Sequence, residues 1–559
     1  MDVSFGTIWE AIARDLPDTV AISEPARDYT YAEFSDRAGR LAAALAGAGV
    51  GPGDKVACYL YNGAPYLETV FAAFKLGAVP VNANYRYTAG ELTALLADAD
   101  AAALVFSGDL AANVAHAAAT LPSLRLLVRA GEAPHADPAA PAPSGPPPAD
   151  PVHDAPTLAD LYASTEPRPP APRPSSDALF MYTGGTTGKP KGVIWPLHQL
   201  FGSMSAGLFS RLGASSTPAT LDELIAIVRS VHADGRSPVA LSAVPLMHAT
   251  GLFNAIGTLT VGGRVVLTKP GGLDPRHVWE LVGAQRVRTL VIAGNAVCQP
   301  LVDELLAAEA AGRPHDLSSL EAVTSSGTVL SDRLKRALHE RAAVTISDAV
   351  ASSEGGPFLI ASTSSAADLP PRFYPTAGTE VLTASGAPVV PGSGEVGMLA
   401  FGGSIPAGYY KDDAKTSATF REVDGVRYSM PGDLATVDAD GAIRFLGRGA
   451  GVINTGGEKV FAEEVEQVLA AHPGVADALV VGLPDQRFGH RVAAVVARAA
   501  GAEVTAAELE EYAGARLAGY KKPRTVVFVE SVKRSPSGKA DLRWAAEAAA
   551  SHGEAEVPV

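Results

Sequence analysis

Apolar positions along the chain switch repeatedly between two spacings. "DKVACYLYN" reads as a strand, "APYLETVFAAFKLG" as a helix and "AVPVNAN" as a second strand. "TAGELTALLADAD" then predicts a helix before the strand "AAALVF". Further on, "GRVVLT", "RTLVIAG", "LEAVTSSG" and "AVTISDAV" are short β-rich runs with helical residues between them. This rhythm predicts an α/β fold, parallel sheets covered by helices. Sites in such folds lie beyond the carboxyl ends of the strands, where glycine-rich turns collect.

Two regions break the rhythm. Residues 133–174 are rich in Pro and Ala and predict a flexible loop or extended linker. Beyond "FLGRGAG" near residue 447, "FAEEVEQVLAAHPGV" is an amphipathic helix, and "VADALVVGLPD", "HRVAAVVAR" and "RTVVFVE" read as strands. That is enough for a compact α+β domain of about 110 residues. The expected organisation is therefore a large domain over 1–447 and a small one over 448–559.

Composition narrows the function. A hydrophobic content of 47% in 559 residues supports a large core and excludes global disorder. The net charge of −15 argues against a nucleic-acid binder, which needs a basic field. Cys58 and Cys298 are the only cysteines, so neither a disulfide framework nor a cysteine-rich metal site is expected, and a reducing cytoplasm fits. The opening residues carry acids and show no basic-then-apolar leader, and no apolar run is long enough for a membrane span.

"MYTGGTTGKPKGV", residues 181–193, holds four glycines with several hydroxyls and two lysines. Small residues let consecutive backbone N–H groups converge on an anion, so the segment reads as a phosphate-binding loop. It is not the common P-loop: Thr183 stands where that pattern has its first glycine, and Pro190 where it has Ser or Thr. "PLMHATG", "SGEVG", "YYKDD", "PGDLATVDADGAIRFLGR", "INTGGEKVFAEEVE" and "SPSGK" follow in that order.

This ordered set resembles the acyl-CoA synthetase and adenylate-forming enzyme superfamily, from about residue 5 to residue 545. The "SSG", "SSE", "SMPGDL" and "GRGAG…INTGGEKV" variants look most like an actinobacterial branch of steroid side-chain and long-chain acyl-CoA ligases. The resemblance implies a ligase that uses ATP, Mg²⁺ and coenzyme A. It would convert a carboxylic acid to acyl-AMP and pyrophosphate, then pass the acyl group to CoA after the small domain rotates.

By that resemblance, Thr183, Gly184, Gly185, Thr186, Thr187, Gly188 and Lys189 cover the β- and γ-phosphates. Glu354 is the Mg²⁺ ligand, with Ser353 beside it in the place of the usual Thr. Ser325, Ser326 and Gly327, with Thr328, match the adenine-binding strand end. Asp433 accepts hydrogen bonds from the ribose hydroxyls and Arg448 helps hold ribose or phosphate. Lys539 is the lysine of the adenylation step. Gly456 and Gly457 would line the pantetheine tunnel, and Tyr520, Lys521 and Lys522 would meet the CoA nucleotide unless they form an ordinary basic turn.

His248 takes the family's position at the mouth of the acyl pocket, or is a packing histidine. Gly251, Gly294, Ala296, Gly327 and Gly355 would leave room in that pocket for a bulky apolar acid of fatty, steroid or diterpenoid type. Two departures stand out. Val350 replaces an adenine-stacking tyrosine, and Ala450, between Gly449 and Gly451, replaces an Asp or Lys at the hinge. The expected partners are the acid, ATP and CoA, with neither nucleic acid nor a membrane span, and a homodimer is left open. Two alternatives remain: an acyl-AMP ligase that loads a carrier protein, and a non-catalytic ligand-binding relative.

Overall fold

A computed structural model describes residues 4–131, 152–183, 191–328, 330–448, 451–455, 458–485, 489–517, 519–534 and 540–553. They group into two compact units. The first comprises 1–291, 353–356 and 404–418; the second takes 292–352, 357–403 and 419–559.

The first unit contains a seven-stranded sheet in the order Gly408–Tyr409, Lys191–Pro196, Ala178–Thr183, Val79–Asn82, Lys55–Tyr59, Ala101–Ser107, Leu126–Ala130. The pairs from Ala178–Thr183 to Leu126–Ala130 are parallel, as the alternating pattern requires. Except in the edge strand Leu126–Ala130, their side chains are buried on both faces, so the strands read as near-continuous apolar runs. The helix Ala64–Leu76 is buried along its length, and Gly77 closes it in the left-handed region at φ 69°. Capping boxes at Thr30–Glu33 and Thr88–Glu91 start the helices Tyr31–Gly47 and Ala89–Asp98. An aromatic cluster anchors the N-terminal helix Phe5–Asp15: Trp9 meets Phe71 edge-on at 5.2 Å, and Phe34 lies 4.9 Å from Phe71.

The stretch expected to be a linker is partly folded. Beyond the undescribed 132–151, a capping box at Thr157–Asp160 starts the helix Leu158–Ser164. The Tyr162 hydroxyl donates to buried Glu68 at 2.5 Å, and Arg40 donates to the carbonyls of Tyr162 and Thr165. Composition averaged over the whole stretch concealed this local helix signal.

In the second unit, Ala322–Ser326 and Thr345–Ser352 pair in parallel. A separate antiparallel sheet over 379–448, not foreseen in the sequence, runs Phe420–Val423, Val426–Ser429, Gly397–Phe401, Asp433–Val437, Ile443–Arg448, with Thr379–Leu382 beside Gly397–Phe401. The C-terminal sheet runs Glu458–Phe461, Val452–Thr455, Gly489–Arg498, Val475–Asp485, with Thr525–Val529 parallel to Gly489–Arg498. Period-two alternation builds two cores there. Ala478, Val480, Ala494 and Val496 join one cluster, while Leu479, Val481, Ala493 and Val495 join the other with the helix Leu542–Gly553. The expected α+β C-terminal domain is present.

Candidate active site

The strand Ala178–Thr183 carries the chain to the glycine-rich segment, and Lys191–Pro196 carries it back. Thr183 is paired in register with Lys191. Gly184, Gly185, Thr186, Thr187, Gly188 and Lys189 lie outside the described residues. Lys191, just past them, forms an ion pair with Asp412. Gly192 is required by its neighbour: a Cβ there would stand 2.7 Å from the Tyr182 ring.

One buried amide organises the approach to this segment. Asn82, 7% exposed, accepts from Tyr182 N–H at 2.6 Å and donates to Tyr182 O at 2.9 Å and Met247 O at 2.7 Å. It ties the strand before the glycine-rich segment to the residue before His248. His248 itself is half-buried at the start of the helix Ala249–Thr260, with its backbone N–H bonded to Pro245 O at 3.1 Å. Gly251 lets that first turn sit on the loop, since a Cβ would lie 2.5 Å from Pro245 O.

Ser353, Glu354 and Gly355 belong to the same unit. Trp195 Nε1 donates to Ser353 O at 2.9 Å, and Tyr409 Oη donates to Glu354 Oε1 at 2.8 Å. Glu354 is 9% exposed. Among the described residues no group of three or more His, Cys, Asp or Glu converges as a metal cage. A single hard carboxylate is nevertheless a donor that suits Mg²⁺, which keeps waters and shares substrate phosphates. Glu354 fits that role.

The second unit holds the adenine- and ribose-site candidates. Ser325 is fully buried at the end of its strand, and its Oγ accepts from Gly294 N–H at 3.2 Å. Ser325 in turn hydrogen-bonds Asp348, whose carboxylate pairs with Lys335 Nζ at 2.9 Å. Burial pushes the Asp348 pKa up, while Lys335 and the Ser325 bond pull it back. Thr328 Oγ1 reaches Ala293 O at 3.4 Å, and Asn295 Oδ1 accepts from Ser331 N–H at 2.8 Å. These bonds stitch the Ser325–Thr328 strand end to the start of the helix Gly294–Ala310. Gly327 lies at φ 91° and Gly294 at φ 51°, both in glycine's favoured region. Ser326 is buried, while Ala296 and Val350 are half-buried.

Asp433, 4% exposed, faces Arg448 in register across their hairpin, although the Arg448 side chain lies outside the described residues. Gly447, next in the chain, sits at φ 94°, and a Cβ there would lie 2.0 Å from Glu463 Oε2. Tyr520 is exposed, while Lys521 pairs with Glu464 at 2.7 Å and Lys522 with Glu510 at 3.3 Å. Both ammonium groups are therefore already paired in this structure. Gly456, Gly457 and Lys539 lie outside the described residues, though Arg534 and Ala540 form a β-bridge on either side of the latter's segment.

Sequence reading missed Asn82, Trp195, Tyr409 and the Lys335–Asp348 pair. A polar Asn inside the apolar run "AVPVNAN" was the one usable signal.

Comparison with known proteins now bears on the whole chain. Residues 9–410 match the AMP-binding enzyme model and residues 464–539 its C-terminal domain model. A 3-oxocholest-4-en-26-oate–CoA ligase of Rhodococcus rhodochrous is 39% identical over 536 residues, covering 95% of this chain and 93% of that protein. A medium/long-chain-fatty-acid–CoA and 3-oxocholest-4-en-26-oate–CoA ligase of Mycolicibacterium smegmatis is 37% identical, covering 95% and 93%. The fold is that of a crystal structure of an anthranilate CoA ligase with anthranoyl-AMP, at TM-score 0.80 and 23% identity, covering 99% and 98%. No described helix is long and apolar enough to cross a membrane. On this breadth of match, the chain belongs to the AMP-binding enzyme family, the adenylate-forming enzymes with a large N-terminal and a small C-terminal domain.

Proposed function

We propose that this ATP-dependent acyl-CoA ligase activates a bulky hydrophobic carboxylic acid, of the steroid side-chain, fatty or diterpenoid type. The observation that carries the steroid and fatty part of the reading is end-to-end similarity to ligases named for 3-oxocholest-4-en-26-oate and medium/long-chain fatty acids. The small side chains of Gly294, Ala296, Gly327 and Gly355 support it, because small walls would leave volume for a large apolar group, whereas the space beside Gly251 is taken by Pro245 O.

In the first step a carboxylate oxygen attacks the α-phosphorus and pyrophosphate leaves. The main obstacle is like charge, so positioning and electrostatics supply most of the rate. We assign the β- and γ-phosphates to the backbone and hydroxyls of Thr183–Thr187, with Gly188 and Lys189. The adenine falls to Ser325–Gly327, and the ribose hydroxyls to Asp433 with Arg448. Ser353 would reach the phosphates and Glu354 would hold the cation; Mg²⁺ bound there would supply charge neutralisation at the phosphates. Lys539 brings an ammonium group between carboxylate and α-phosphate, and His248 positions the carboxylate.

In the second step the CoA sulfur attacks the acyl carbon, the thiol proton is lost and AMP departs. A boundary at 447/448 lets the small domain withdraw Lys539 and present Gly456 and Gly457 to pantetheine, with Tyr520, Lys521 and Lys522 near the CoA nucleotide. The reading also places the enzyme in the cytoplasm, where ATP and CoA are supplied.

Mass spectrometry of reactions with ATP, Mg²⁺ and a panel of short, aromatic, fatty, steroid and diterpenoid acids, with and without CoA, tests this. Acyl-CoA from bulky acids is the expected product. Acyl-adenylate that never reaches CoA would replace CoA by a carrier protein, and turnover of short acids alone would overturn the pocket assignment.

A further inference from the structure

Glu354 is held by residues to which no motif gave a role. Trp195 and Tyr409 are 0% and 4% exposed, and they fix the Ser353–Glu354 turn from two directions through the bonds at 2.9 and 2.8 Å. Both sit on adjacent antiparallel strands, where Tyr409 pairs with Val193 and Gly408 with Ile194. The backbone under Tyr409 is itself pinned. Gly408 lies at φ 154°, a Cβ there would meet Thr416 Cγ2 at 2.5 Å, and Tyr409 N–H donates to Thr416 Oγ1 at 2.9 Å. Lys415 Nζ stands 4.5 Å from the centre of the Tyr409 ring. A phenol held this firmly fixes the plane of the carboxylate that receives its hydrogen bond.

We infer that Tyr409 is a positioning residue for the cation and triphosphate, acting through Glu354 with Trp195 as its counterpart on the preceding carbonyl. This rests on the reading of Glu354 as the metal ligand. The carboxylate is oriented before the cation arrives, so binding does not have to restrict its rotation. Partners of this kind, once removed, typically cost about 10–100-fold in metal affinity or activity.

The test uses Mn²⁺ with the non-hydrolysable analogue α,β-methylene-ATP and follows free Mn²⁺ by electron paramagnetic resonance, so no acid substrate is needed. Tyr409→Phe is expected to weaken Mn²⁺ binding by about 10–100-fold while melting close to wild type. Adenylation by the same variant should recover as Mg²⁺ is raised, which a merely structural lesion would not allow. Should Tyr409→Phe fail to fold, Thr416→Val loosens the backbone beneath the same phenol and is expected to weaken Mn²⁺ binding in the same direction. Wild-type Mn²⁺ affinity in the folded variant overturns the inference. Wild-type affinity in Glu354→Gln as well would overturn the assignment of Glu354 itself.

Discussion

The side-chain amide of Asn82 takes both backbone hydrogen bonds of Tyr182, accepting its N–H at 2.6 Å and donating to its carbonyl at 2.9 Å. A third bond, to Met247 O at 2.7 Å, uses the other amide proton. One buried side chain thus sets the spacing between the strand before the glycine-rich segment and the residue before His248. Asn82→Ala strands one donor and two acceptors. We expect roughly 3 kcal/mol of lost stability by urea denaturation, and adenylation reduced on the order of 10²-fold by misplacement. A variant as stable and active as wild type would refute this organising role.

Lys335 and Asp348 form a buried pair at 2.9 Å, with side chains 3% and 8% exposed. Lys335→Met leaves a buried carboxylate without its counter-ion and should cost roughly 3–5 kcal/mol. Adding Asp348→Leu should return most of that stability, because an apolar pair avoids the desolvation of both charges. It should not return ATP affinity, since Ser325 loses the carboxylate that orients it. Thermal melts and the KM for ATP, measured on both variants, separate the two effects. Recovery of both together would mean that the pair serves stability alone.

Burial pushes the Glu466 pKa up to about 7; its neighbours Glu463 and Asp477 favour the protonated form, while Arg534 and the N–H of Val480 oppose it. Its folded pKa thus exceeds the unfolded value, so between them the folded state holds a proton that the unfolded chain has released. Stability is therefore present in full below the unfolded pKa and is lost as pH rises towards about 7. Glu466→Gln keeps an acceptor for Val480 N–H without the charge. It should flatten this loss and raise stability at pH 8 by on the order of 2 kcal/mol. Melting curves across pH 5–8 check it; parallel profiles for both proteins would contradict it.

Lys539→Ala should lower acyl-adenylate formation by at least about 10²-fold, the size of a lost electrostatic contact to the developing charge. Thioester formation from preformed acyl-adenylate should persist, because the proposed rotation withdraws the lysine for that step. Equal loss in both half-reactions would contradict the two-orientation account.

Legibility in the sequence followed the range of the interactions involved. The parallel strands of the first unit, the helix Ala64–Leu76 and the two-faced C-terminal sheet were readable, because periods of 2 and 3.6 record burial residue by residue. The motif residues were readable because their order along the chain is distinctive. The helix Leu158–Ser164 was hidden by the Pro- and Ala-rich composition around it, and only the contacts of Tyr162 and Thr165 with Glu68 and Arg40 explain its place. Tyr409 stood inside "YYKDD", yet nothing local distinguishes a phenol that packs from one that donates to a carboxylate 55 positions away.

By itself, then, the sequence determined the family and the alternating core and nominated the groups proposed to meet ATP, since these depend on local pattern and residue type. Tertiary structure decided how those groups are held. Asn82 meets Tyr182 across 100 positions, and Trp195 meets Ser353 across 158. Such hydrogen bonds exist only once the strands have paired and water has been excluded, because an amide or indole left in water satisfies itself with solvent and records no partner in the chain.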